Sequence, residues 1–307
     1  MKERRYISLS IPPEHGASAL EELMRIGCAQ WWEPPYREGG PYLFNNTFDS
    51  TDPRLWALKE LIEDGALKVL KDEQSAFGFF ERVDRVYTPK ELRSAPLLVL
   101  TVDRRPLEFT APEYGTEYDL STGCPECGTG VVQVSPLKMR RSDVPQTGLI
   151  CQTVEFAYLV ASSLGEALRE AEVNGLELRE AVSHHDGKPL GWFQMIAHHT
   201  MPRMSSKTRG FVRGEGREAP CKRCDRDAYY HTLKEPGQIV YERPRGFPED
   251  LPDVVQSWEH FGKTLRDDDG RLCVLSQPLF FLKPKVFDLF RKLKVRHVKF
   301  EPVEFVD

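Results

Sequence analysis

The sequence predicts an α+β protein in two parts: an N-terminal α+β unit over residues 1–110 and a second domain over residues 111–307. Three observations carry this expectation. Stretches that alternate apolar and polar residues are interspersed with stretches of helical spacing. A tract from Arg104 to Tyr118, rich in proline, glycine and charge, interrupts them and marks the boundary. In the second half, a shift of 122 residues lays one strand-helix-strand pattern on another, 149–182 onto 271–304.

Within the first part, Tyr6 to Ser10 alternates as a strand does. Ala17 to Ile26 follows as a helix with Leu20, Leu23 and Met24 on one face. Asp52-Pro53 opens a second helix with Leu55, Leu58, Leu61 and Ile62 inward, and Gly65 stops it. Leu67 to Leu70 reads as a short strand. Thr88-Pro89-Lys90-Glu91 has the form of a capping box with proline at the first helical position, so a short helix begins there and Pro96 ends it. Leu97 to Val102 is an unbroken apolar run apart from Thr101, as in a strand buried on both faces.

The shift of 122 in the second part sets Cys151 on Cys273 and Tyr158-Leu159-Val160 on Phe280-Phe281-Leu282. Leu164, Ala167, Leu168 and Ala171 fall on Val286, Leu289, Phe290 and Leu293, with the 3, 4 and 7 spacing of an amphipathic helix. Leu176-Glu177-Leu178 falls on Val298-Lys299-Phe300 and closes each copy as a strand. A C-x-x-C pair precedes each copy.

These pairs are Cys124-Pro125-Glu126-Cys127 and Cys221-Lys222-Arg223-Cys224. Two thiolates at that spacing can bind one metal ion, and four complete a tetrahedral zinc site with no position open to water or substrate. Between Cys127 and Cys221 lie 93 residues, so such a site clamps distant parts of one domain. Separate thiols and a redox dithiol are the alternatives; a redox pair needs a helix N-terminus after a strand, whereas Gly128-Thr129-Gly130 favours a turn. The fold expected is therefore an N-terminal α+β unit followed by a zinc-clamped domain with two duplicated strand-helix-strand units.

Composition excludes several classes. A hydrophobic fraction of 40% with 29% charged residues is that of a globular protein, and a net charge of −5 gives no global attraction to nucleic acid or anionic lipid. No run approaches the ~18 apolar residues of a membrane span. Met1 to Tyr6 leads straight into a strand with no signal-peptide core, and seven cysteines in such a chain suit a reducing cytoplasm. The motifs G-x-x-x-x-G-K-[ST], H-E-x-x-H and G-x-S-x-G are absent. The doublets His184-His185 and His198-His199 lack the histidine-x-glutamate that a zinc deaminase places ahead of its cysteines. They read as solvated or packed side chains, and Cys28 and Cys151 as small buried apolar groups. No catalytic residue is assigned.

One stretch runs against the overall charge. From Arg203 to Asp227 there are eight basic and four acidic residues, with Gly210, Gly214 and Gly216 among them. Its plainest reading is a solvated loop. The functional reading makes Arg203, Lys207, Arg209, Arg213 and Arg217 an electropositive face for an acidic partner or a phosphate backbone.

The order of these features resembles the myxobacterial double-C-x-x-C-G family, whose members include swarm immunity proteins that neutralise exchanged toxins. The matching residues are Cys124-Pro125-Glu126-Cys127-Gly128, then Glu166-Ala167-Leu168-Arg169 leading into Val173-Asn174-Gly175-Leu176-Glu177-Leu178, then Pro220-Cys221-Lys222-Arg223-Cys224. The stretch from Phe287-Asp288-Leu289-Phe290 to Val298-Lys299-Phe300-Glu301-Pro302-Val303 is similar to the ends of several bacterial immunity families. The likeness covers Tyr118 to the C-terminus. It departs in two respects: the first pair stands farther from the start than in family members, and Asp225 replaces the second glycine. The resemblance implies a cytoplasmic, non-catalytic immunity protein that binds a cognate protein toxin and holds structural Zn2+ on Cys124, Cys127, Cys221 and Cys224. The other functional classes are a zinc-stabilised nucleic-acid-binding protein, suggested by the basic stretch, and a metalloenzyme.

Overall fold

In the computed structural model, which describes all residues except 71–78, 103–113, 154–156, 217–218, 233–236, 244–249, 267–271, 274–275 and 307, the chain is a mixed α+β protein dominated by sheet. Its contacts separate one unit, Met1–Thr88, from another formed by Pro89–His231 and Gly237–Asp307. The division thus falls ahead of the boundary expected near residue 110.

In the first unit, alternation along β1 (Lys2–Ile11) sends Ile7, Leu9 and Ile11 to one face, where all three are fully buried. Helices α1 (Gly16–Arg25) and α2 (Pro53–Glu63) supply the other side of that core, with Leu23 from α1 and Leu55, Leu58 and Leu61 from α2. Asp52 caps α2 by accepting the Arg54 N–H at 3.0 Å. Met24 departs from expectation and is exposed, because Gly16, Ala19 and Leu23 form the inward stripe of α1. Strands β2 (Trp32–Glu33), β3 (Tyr42–Asp49) and β4 (Phe79–Val86) complete an antiparallel sheet of order β2-β3-β1-β4. With its helices this is the β-α-β-β-α-β order of ferredoxin-like folds. The strand expected at Leu67–Leu70 does not form; the segment is irregular, with Leu67 buried and its N–H bonded to the Leu61 carbonyl at 2.8 Å.

The second unit begins with α3 (Pro89–Ser94) and β5 (Leu97–Val102). The ribbon β6 (Tyr118–Asp119) and β7 (Val132–Gln133) comes next. A five-stranded sheet then forms from β8 (Lys138–Met139), β9 (Ile150–Gln152), β10 (Tyr158–Ala161), β11 (Leu176–Ser183) and β12 (Pro189–Ala197), in the order β8-β11-β12-β10-β9, with helix α4 (Ser162–Glu170) between β10 and β11. Strands β13 (Phe211–Arg213), β14 (Tyr229–His231), β15 (Val240–Glu242) and β16 (Val254–Gly262) follow, then the small ribbon β17 (Leu265–Arg266) and β18 (Leu272–Cys273). The chain closes with β19 (Ser276–Leu282), helix α5 (Pro284–Lys292) and β20 (Val298–Val306). Seven strands make the larger sheet, in the order β13-β14-β16-β19-β5-β20-β15.

The two sheets share a pattern. In each, the strands flanking a helix pair antiparallel to one strand between them: β10 and β11 to β12, β19 and β20 to β5. The first strand of each unit has an antiparallel outer neighbour, β9 or β16, and the last a short parallel one, β8 or β15. The central strand of the larger sheet, β5, comes from far upstream. That is why the unit boundary lies before it: β5 bonds to β19 and β20 and so belongs with the C-terminal half.

Alternation then places the core. Leu100 and Val102 of β5, Tyr158 and Val160 of β10, and Phe280 and Leu282 of β19 share one cluster with Leu164 and Leu168 of α4 and Val286 and Phe290 of α5. The intervening Leu97, Val99 and Phe281 enter a second cluster behind the larger sheet, and Leu159 a third. Strands buried on both faces explain the continuous apolar runs in their sequences. Tyr158 and Phe280 stack with centroids 4.7 Å apart. Upstream of these residues the expected correspondence ends: Cys151 lies in β9 beside β10, whereas Cys273 lies in β18 paired to β17.

Candidate metal centre

Each cysteine pair sits in the bend of a short hairpin, the first between β6 and β7, the second between β13 and β14. The bends are built alike. In the first, Gly128 donates its N–H to the Cys124 carbonyl at 2.7 Å; in the second, Asp225 donates to the Cys221 carbonyl at 2.9 Å. Both residues have positive φ, +77° for Gly128 and +53° for Asp225. Glycine adopts that conformation without a steric cost and aspartate tolerates it better than most side chains, so the substitution leaves the geometry of the turn in place.

Further bonds fix the sulfurs. Cys124 donates its N–H to the Thr129 carbonyl at 2.9 Å, and the Thr129 N–H points at Cys127 Sγ from 3.4 Å. In the second bend the fully buried Asp227 carboxylate accepts the Cys221 N–H at 2.9 Å, while Lys263 Nζ stands 3.8 Å from its other oxygen. Arg226 reaches back toward Gly130, lies over Trp258 at 5.3 Å, donates to the Trp258 carbonyl at 3.1 Å and meets His260 Nε2 at 3.3 Å. Burial, then the neighbouring Arg226, pushes the pKa of His260 down to about 3, so this histidine is neutral. Burial also pushes the Glu259 carboxyl above the usual range, and its Oε1 accepts the Met204 N–H at 2.7 Å.

The bends bring Cys124, Cys127, Cys221 and Cys224 together, with all four sulfurs within 4.8 Å of one another. Across the pairs, Cys124 and Cys221 are 3.8 Å apart and Cys127 and Cys224 3.6 Å apart. Zinc–sulfur bonds of about 2.3 Å at tetrahedral angles set sulfurs about 3.8 Å apart, so the residues fit a four-coordinate ion. Burial works against ionisation of Cys124, but the N–H groups of Cys127 and Glu126 lower its pKa below the usual thiol value. Burial raises the thiols of Cys127 and Cys224. A cation at the centre supplies the compensation that such buried thiolates need. Four protein sulfurs leave no coordination position for a substrate.

The basic stretch is reorganised. Arg203 Nη2 is 2.5 Å from Asp225 Oδ2 and its guanidinium covers Trp258 at 4.2 Å. Arg213 donates to Asp225 Oδ1 and to the Tyr229 hydroxyl, both at 2.9 Å. Two of the five candidate arginines and lysines are therefore folded onto the second bend by one carboxylate. Lys207 and Arg209 are exposed and line an open groove of about 370 Å³ with Glu304 and Gln238. Arg217 lies outside the described residues. Part of the stretch is strand β13 and not loop. His184, His185 and His198 are exposed, as solvated side chains are, and His198 stands 3.2 Å from Glu177. Sequence reasoning missed Asp227, Arg226 and His260, because a charge inside a charged run gives no sign of burial.

No protein-family model matches the chain, and comparison with curated proteins finds no match.

Proposed function

We propose that this chain is a cytoplasmic immunity protein that binds and neutralises a cognate protein toxin without catalytic turnover, on a scaffold closed by structural zinc. The observation that carries the reading is the meeting of both C-x-x-C bends in one four-sulfur cluster, in the order and setting of the double-C-x-x-C-G motif that the sequence resembles. A site filled by four cysteines stabilises a fold and offers nothing to a substrate. Among the described residues no helix is long and apolar enough to cross a membrane.

We also infer that the β10-α4-β11 and β19-α5-β20 units are copies of one ancestor. Their buried helix residues, Leu164 and Leu168 against Val286 and Phe290, stand 122 positions apart in each case. So do Tyr158 and Phe280, which stack on each other as equivalent residues do across a twofold axis.

The test is co-expression with the product of an adjacent toxin gene. The expected result is rescue of growth and a stoichiometric complex. A metal-dependent turnover of a small molecule, or absence of any toxic neighbour, overturns the reading.

A further inference from the structure

Strand β4 closes one side of the first unit's sheet. It pairs with β1 along its whole length, from Val86 opposite Lys2 to Phe79 opposite Leu9, and among the described residues no strand pairs with its other side. An edge strand presents its outer N–H and C=O groups to any strand that can reach them, and proteins guard such edges with brevity, proline, lysine or a bulge. β4 has eight residues and none of those interruptions. Its ends carry exposed apolar side chains, Phe79 (45%) and Val86 (39%).

The charges along β4 are ordered by face. Glu81 and Phe79 stand opposite the buried Ile7 and Leu9, so they share the helix side of the sheet with Val83 and Arg85. Phe80, Arg82, Asp84 and Val86 take the other side. There Arg82 pairs with Asp84 at 3.1 Å, with both side chains partly exposed. On the helix side Glu81 holds Arg5 and Lys59, at 2.6 and 2.8 Å, and Arg85 stands 3.7 Å from Glu3.

A strand that pairs antiparallel with its own copy must set one residue opposite itself, because opposed residues aim their backbone groups alike. That requirement leaves few registers. Centring on Glu81, Arg82, Asp84 or Arg85 sets like charges face to face, which is unfavourable. Centring on Phe80 pairs no more than Phe79 to Glu81. Centring on Val83 sets Phe80 opposite Val86, Glu81 opposite Arg85 and Arg82 opposite Asp84, each twice about the axis. Every opposed pair is then either apolar or of opposite charge. The two Arg82–Asp84 pairs close into a ring of alternating charges, and each Arg85 stands between Glu3 of its own chain and Glu81 of the other.

We propose that two copies of this chain associate through β4, antiparallel and centred on Val83, joining their four-stranded sheets into one about a twofold axis. The strand's own sequence selects this occupant, since its pattern of charge and apolar residues is complementary to itself in that register and in no other of comparable length. The proposal concerns the first unit and stands whatever the second unit binds.

The test is sedimentation equilibrium on the full chain. Wild type should show a monomer–dimer equilibrium that added salt weakens. Arg82→Asp and Asp84→Arg each set like charges opposite one another on both sides of the axis, and each should weaken the dimer by about tenfold or more. Both side chains are at the surface, so each variant should keep the wild-type melting temperature. An equimolar mixture of the two variants should dimerise again, because the acidic edge of one then faces the basic edge of the other. A monomer at millimolar concentration, a dimer that neither substitution weakens, or a mixture no tighter than its components overturns the proposal.

Discussion

Replacing Cys221 by serine should cost the protein a large share of its stability. The four-sulfur cluster ties together positions 97 apart in the chain, Cys124 to Cys221 and Cys127 to Cys224. A cross-link that closes a loop of about 100 residues removes about 4.7 kcal/mol of conformational entropy from the unfolded chain. A metal clamp acts in the same way as long as the unfolded state does not hold the ion. Loss of the clamp should therefore lower stability by about 4–5 kcal/mol, against the roughly 5–15 kcal/mol typical of a whole domain. Urea unfolding of wild type and Cys221→Ser, with zinc content measured on the same samples, reads this directly. Adding a strong chelator to wild type should bring its midpoint down to that of the variant and leave the variant unmoved. The reasoning fails if the variant loses its zinc yet unfolds within about 1 kcal/mol of wild type, or if it retains one ion per chain.

Three further outcomes follow from the geometry. Gly175 has φ +77°, and a Cβ there would lie 2.4 Å from the Val254 carbonyl oxygen and 2.5 Å from Pro252 Cβ; Gly175→Ala should cost about 2–4 kcal/mol in a urea melt, from left-handed strain plus overpacking, and a change below 1 kcal/mol would count against the close approach. His260 is held neutral with its pKa near 3, whereas an unfolded histidine protonates near 6.5. The unfolded chain then binds more protons between those values, so this contribution is complete above about pH 6.5 and declines as pH falls, by up to about 1.4 kcal/mol per unit. His260→Gln should flatten the pH dependence between about pH 4.5 and 6.5, and identical slopes would contradict it. Asp225→Asn keeps a residue that accepts positive φ and removes two exposed ion pairs, so its cost should stay below about 1 kcal/mol with zinc content unchanged; Asp225→Ala should cost more.

The cysteine cluster was legible because C-x-x-C spacing is itself a statement of ligand geometry. Helices α4 and α5 were legible from their apolar spacing: Leu164 and Leu168, and Val286 and Phe290, are buried where that spacing puts them, while Gly165 and Phe287 are buried beside the expected stripe and Ala167 and Leu289 are only half-buried. Membership of sheets was not. Leu97 to Val102 announces a strand buried on both faces, but nothing local says that its partners are β19 and β20. Strands β3 and β16 escaped notice for a different reason. Asn45, Asn46 and Thr47 interrupt the apolar pattern of one, and Ser257, Glu259 and His260, all buried, that of the other. Tertiary partners hold several of these polar groups inside, as the Leu279 N–H does on Ser257 Oγ and the Met204 N–H on Glu259 Oε1. Charge balance misled in the basic stretch, since the count does not reveal that Asp225 gathers two arginines at once.

The position of β5 has a consequence during synthesis. About 170 residues separate the end of β5 from the start of β19, which at roughly 5–20 residues per second takes on the order of 10–35 s on the ribosome. Throughout that interval Leu97-Leu98-Val99-Leu100-Thr101-Val102 has emerged with no sheet to join. It is an uncharged segment of high strand propensity, the kind that pairs with its like on other nascent chains. Any chain that terminates before Ser276 leaves that segment permanently orphaned. Nonsense or frameshift truncation ahead of Ser276 should thus yield aggregates, and full-length expression should depend on holdase chaperones.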